Sequence, residues 1–201
     1  MPFIGSKNLF KFDWGSLWSN KIDYFEYQIN QIGKKYPILC DSLGYFIGMA
    51  ENAISYVNYA ISQNAKENLY FAVSHRRIKE SDTFFDLYNP INIVVDSRVR
   101  DISEYIKHMV INNINPWEDI KKHFLTTRYS YLEWQLLYGR LLFPTYYFDK
   151  YELIVSGDCA EEDIVSLISN TKDYEKFLYD FYIFSKNYVN IPGIDWIIKR
   201  G

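Results

Sequence analysis

The sequence predicts a mainly helical α+β fold with a small β-ribbon. Three observations lead to it. Apolar residues recur at spacings of three and four over most of the chain. Two short runs near the middle, NLYFAVS and INIVVD, break that period and read as buried strands. Of the 201 residues, 48% are apolar, enough for one real core, and 23% are charged. With no linker, low-complexity segment or internal repeat, the expectation is a single domain over residues 1–201.

The first helix is expected from Leu17 to Tyr36, with Ile22, Phe25, Ile29 and Ile32 on one face and Pro37 ending it. A longer helix follows over about Ile38 to Ser62. There Leu39, Leu43, Phe46, Ala50, Ala53, Val57 and Ala60 alternate steps of four and three, and Ile47, Ile54 and Ile61 widen the stripe. The strands are placed at Asn68–Ser74 and Ile91–Asp96, with a polar loop from His75 between them. Helices resume near Val99 and continue to the end. Asn115-Pro116-Trp117-Glu118, Ser130 with Glu133, and Asp158 with Glu161 read as helix starts of capping-box type. Pro144 stops the apolar helix that begins after Ser130. Tyr174 to Tyr188 marks another helix, and Trp196 and Ile197 dock a terminal turn.

Composition excludes several functions. Lys plus Arg is 22 and Asp plus Glu is 25, a net charge of −3, which disfavours general attraction to nucleic acid or to an anionic membrane. Cys40 and Cys159 are far apart without a CxxC or a zinc spacing, and read as two unpaired thiols. The amino terminus is no secretory signal, and no apolar run approaches the ~20 residues of a membrane span, so a cytoplasmic protein is expected. Aromatic residues, 19% of the chain, are in excess. No GxSxG, HExxH, Walker loop or zinc-finger spacing occurs.

The stretch Val73 to Ile106 carries the candidate chemistry. His75, Arg76 and Arg77 follow the first strand, Asp96 ends the second, and Arg100 and Asp101 open the next helix. Polar residues at the ends of adjacent strands usually face one cleft. Taken on their own, these residues keep plain alternatives. His75 reads as a hydrogen-bonded turn histidine, Asp96 as a helix cap, and Asp101 with Glu104 as a solvated first turn. Arg76, Arg77, Arg98 and Arg100 read either as an anion site or as a surface salt-bridge cluster with Asp82, Asp86 and Asp96. His108 and His123 read as surface positions, and Tyr146 to Phe148 as packing against the terminal helix.

The order helix, strand, His-bearing loop, strand ending in Asp, helix resembles the C-terminal lobe of kinase-like folds. More narrowly it resembles the aminoglycoside-phosphotransferase-like branch, and within it the kinase-like spore coat family of endospore formers, the CotS/YutH-like proteins. GMAENAISYV at Gly48–Val57, SHRRI at Ser74–Ile78, VVDSRVRDISEYIK at Val94–Lys107 and LLYGRLLFPTYYFD at Leu136–Asp149 carry the likeness, which spans about Trp14 to Trp196. By resemblance, His75 structures the catalytic loop, Asp96 matches a metal-binding Asp, and Asp101 braces the loop as a helix Asp. Arg77 stands where the catalytic Asp belongs, and a guanidinium cannot accept a hydroxyl proton.

The segment before the first predicted helix holds Gly5 and Gly15 but no GxGxxG and no strand lysine, so an ATP-grasping amino-terminal lobe is expected to be absent. The resemblance therefore implies a non-catalytic, kinase-derived structural or interaction protein. Its expected partners are proteins, spore coat components among them, with no cofactor, no nucleic acid and no membrane. Two alternatives remain open. One is a phosphotransferase half whose ATP-binding lobe lies on another chain, with Asp96 holding Mg and MgATP as cofactor. The other is an anion- or phosphate-binding module built on Arg76, Arg77, Arg98 and Arg100. Asp101 is expected to matter more for stability than Glu104, which is placed in solvent one turn further on.

Overall fold

The computed structural model describes residues 12–78 and 83–200. Ten helices and one ribbon follow in order: α1 (Trp14–Ile32), α2 (Pro37–Gln63), β1 (Phe71–His75), α3 (Phe84–Leu87), β2 (Ile93–Ser97), α4 (Arg100–Ile111), α5 (Trp117–Thr126), α6 (Tyr131–Leu142), α7 (Thr145–Ser156), α8 (Val165–Ser169), α9 (Thr171–Ser185) and α10 (Asp195–Ile198). Two 3-10 turns, Pro90–Asn92 and Glu161–Ile164, precede β2 and α8. The predicted mainly helical fold with a small ribbon is what the chain forms. The strands pair antiparallel, with Val73 opposite Val95 and His75 opposite Ile93.

The expected α2 stripe is the core. Leu39, Leu43, Phe46, Ala50, Ala53, Val57 and Ala60 are all buried. α2 packs most extensively on α6 and next on α1. α6 is buried from Leu132 through Leu142, because it is apolar nearly all round and runs through the middle of the bundle. Gly139 sets the distance between these helices: a Cβ there would meet Val57 Cγ2 at 2.5 Å. Burying α6 also buries Glu133, Gln135 and Arg140, and each finds a partner on another element. Gln135 accepts from Asn64 at 2.8 Å, while Glu133 holds Arg98 and Glu104 holds Arg140.

The predicted box at Ser130 and Glu133 forms in both directions. The one placed at Asp158 and Glu161 does not. Ala160 and Asp163 close that turn, while Glu161 reaches 122 residues back to accept from the Leu39 amide, one of the orphan donors opening α2. Tyr147 and Phe148 do pack, but on the first two helices instead of the terminal one. Tyr147 stacks on Phe46 with ring centroids 3.7 Å apart, and Phe148 stacks on Phe25 at 5.0 Å. Pro144 separates α6 from α7 as expected. Cys40 and Cys159 are both free thiols. No helix among the described residues is long and apolar enough to cross a membrane.

Candidate functional site

The ribbon, the start of α1 and the inner faces of α4, α6 and α7 enclose a cleft of about 730 Å³. His75, Asp96 and Asp101 do not line it, but Arg100, which does, holds both the His75 carbonyl and Asp96, and Asp101 bonds to His75. Asp101, in the first turn of α4, accepts from the backbone amide of His75 at 2.8 Å and contacts its ring Nδ1 at 2.9 Å. The other ring nitrogen meets the carbonyl of Leu87 at 3.1 Å. Asp101→Ala leaves that amide and ring without an acceptor and is expected to cost about 1–3 kcal/mol in denaturant melts. A loss within error of zero would reduce Asp101 to a surface residue.

Asp96 is fully buried. It does not cap α4, whose N-cap position, Val99, offers no side-chain bond. Instead the Trp14 indole donates to both of its oxygens at 3.0 Å, the Ser97 amide donates at 2.7 Å, and the Arg100 guanidinium closes on it. Trp14 stacks on Trp18 at 5.5 Å, and Trp18 on Phe143 at 4.3 Å, so the indole is held by rings on both α1 and the α6–α7 junction. A divalent cation would have to displace an indole N–H, an amide and a guanidinium from this carboxylate. The donor set therefore does not suit the metal that the resemblance assigns to Asp96. Among the described residues, no cluster of three or more His, Cys, Asp or Glu could hold one either.

The four arginines do not form one patch. Arg77 makes a bidentate pair with Asp149, both bonds 2.8 Å. Arg100 holds Asp96 and the carbonyls of His75 and Arg76. Arg98 turns away toward Glu133, between the rings of Tyr70 and Tyr129. Arg76 is exposed at the cleft mouth, and no carboxylate among the described residues pairs with it. Asp86 borders the same cleft and accepts from Thr83, whereas Asp82 lies outside the described residues, as does Gly5. His108 and His123 are half-buried instead of fully exposed, bonded to Asn112 and Tyr129.

The largest departure from the sequence expectation is Glu104. It is not solvated but fully buried. Arg140 donates to it at 2.9 Å, Arg77 approaches at 3.7 Å and the ammonium of Lys107 at 3.8 Å. Burial alone would raise its pKa, yet Lys107, Arg140, Arg77 and Arg100 outweigh burial and hold it at about 2. Lys107 is equally buried, its Nζ donating to Thr145 at 2.9 Å, and burial pushes its pKa down to about 7 against the pull of Glu104. Sequence reasoning missed Trp14, Glu104, Lys107, Arg140 and Asp149. One signal was available: Arg100, Ser103, Glu104 and Lys107 recur at 3, 1 and 3, a helical stripe as regular as the apolar one beside it.

A helical domain with a strand ribbon and a buried ionic network beneath one cleft is the class these features define. The chain matches the family described as "Spore coat putative kinase YutH" over residues 6–181, and it belongs to that family. It is 24% identical over 208 residues to the endospore coat-associated protein YutH of Bacillus subtilis (strain 168). That similarity covers 92% of this chain but 61% of the relative, so the chain spans less than two thirds of the relative's length. No solved structure matches it.

Proposed function

We propose that the chain is a non-catalytic, kinase-derived structural protein of the spore coat, with coat proteins as its partners and no MgATP in its cleft. The observation that carries the non-catalytic reading is the state of Asp96. Its lone pairs are taken by Trp14, Ser97 and Arg100, so a metal finds no open ligand at the position the resemblance gives it. Arg77 adds to this, since it is locked to Asp149 where a proton-accepting carboxylate would stand. The coat assignment draws on the family and on the name of the Bacillus subtilis relative.

Phosphotransfer tests the first half. Purified protein with MgATP is expected to transfer no phosphate to itself, to aminoglycosides or to small hydroxylated acceptors, and its melting temperature should not rise with MgATP. Arg77→Asp should not create activity. It should instead melt lower, because the new carboxylate would sit beside Glu104 and Asp149. Turnover that disappears in Asp96→Asn would overturn the reading. For the second half, tagged protein in a sporulating host is expected in the coat extract. Recovery confined to the soluble fraction throughout sporulation would remove the coat assignment.

A further inference from the structure

The cleft has guanidinium donors that its internal pairs do not use. Lys21, Arg76, Arg77, Arg100 and Arg140 line it with Asp86 and Asp149, and Glu152, Asp96 and Glu104, which do not line it, pair with Lys21, Arg100 and Arg140. Asp149 is shared, taking both Arg77 and Lys21. Two donors remain over. The first is the Arg76 guanidinium, whose backbone is fixed on both sides while its side chain pairs with no carboxylate among the described residues. Its amide donates to Asn92 at 2.8 Å, and its carbonyl accepts from Arg77 at 2.7 Å and Arg100 at 3.2 Å. The second is Arg140, which is 3% exposed and borders the cleft, and whose Nη1 has no hydrogen-bond partner. A buried guanidinium nitrogen calls for an acceptor, which water or a ligand in the cleft can supply.

We propose that this cleft binds a phosphate-class oxyanion, either a free ion or the head of a phosphate monoester, with Arg76 at the mouth and Arg140 at the floor as its charged donors. Guanidinium suits that task. It stays charged, and its planar fork meets two oxygens of a tetrahedral anion at once. The volume of about 730 Å³ leaves room for an organic group carrying the phosphate. This goes beyond the non-catalytic reading and does not depend on it: an oxyanion can bind here with or without ATP turnover.

Thermal melts of the full chain in inorganic phosphate, against potassium chloride at equal ionic strength, test the site. Phosphate is expected to raise the melting temperature saturably, and chloride is not. Arg76→Gln, at an exposed position that need not disturb folding, should weaken the half-saturation at least fivefold, while the remote Lys172→Gln should leave it unchanged. Phosphoserine as a second titrant separates the sources. Tighter binding than inorganic phosphate assigns a monoester, and weaker binding a free ion, with the site supported in both cases. A phosphate shift no larger than the chloride shift would overturn the proposal, and so would one that Arg76→Gln leaves intact.

Discussion

Glu104→Ala is expected to destabilise the protein by about 3–5 kcal/mol, more than Asp101→Ala and against the order the sequence suggests. The reason is the company Glu104 keeps. Arg140 and Lys107 are as buried as it is, and Arg77 is partly so. Removing the carboxylate leaves the buried Arg140 guanidinium and the Lys107 amine without their shared acceptor, and that penalty exceeds the loss of the bonds themselves. Chemical denaturation of the two variants side by side measures it. If Glu104→Ala melts with the parent, the network is decoration.

An acid titration supplies a second readout. The unfolded carboxyl takes its proton near 4.5, while the folded one holds off until about 2. Between those values the unfolded state binds more protons, so stability present above pH 4.5 is lost as the pH falls toward 2. Glu104→Gln keeps the shape without the charge. It should fold with a smaller loss than Ala and should lack this share of the acid slope.

Phe46→Ala is expected to cost about 3–5 kcal/mol. Phe46 is 6% exposed and its ring lies flat on Tyr147. It also borders an existing cavity of about 50 Å³ between α2, α4, α7 and the start of α9, so truncation would enlarge that space. A smaller change on the same stripe, Leu43→Ala, should fall at about 2–5 kcal/mol. Calorimetric melts decide the matter. If both variants keep the parent's melting temperature, the stripe is a surface and not the core.

The parts of the fold that were legible in the sequence share one property: they depend on residues close together in the chain. The α2 stripe, the β-branched second strand, the stop at Pro144 and the box at Ser130 all follow from local pattern or local bonding, whereas the first strand, read as buried, leaves Phe71 and Val73 exposed. Asp101 beside His75 was legible only through the resemblance. What stayed hidden depends on partners distant in sequence. Glu104 looks solvated when its own helix is considered, because its counter-ions Arg140 and Arg77 come from α6 and from the loop after β1. Trp14 meets Asp96 across 82 residues, and Glu161 meets Leu39 across 122. A charged residue inside the bundle obeys the same helical period as a leucine, but polarity alone assigns it to the wrong side of the helix.

The stacked pair of Trp14 and Trp18 has a practical consequence. Two indoles in near-parallel contact, one also hydrogen-bonded to Asp96 and lying under the Arg140 guanidinium at 4.7 Å, form an asymmetric chromophore at the wall of the cleft. Coupled transitions of this kind give near-ultraviolet circular dichroism that vanishes when the rings part. The protein thus carries an unlabelled optical gauge at the place where α1 meets the ribbon, able to register whether anything entering the cleft loosens Asp96 from its indole.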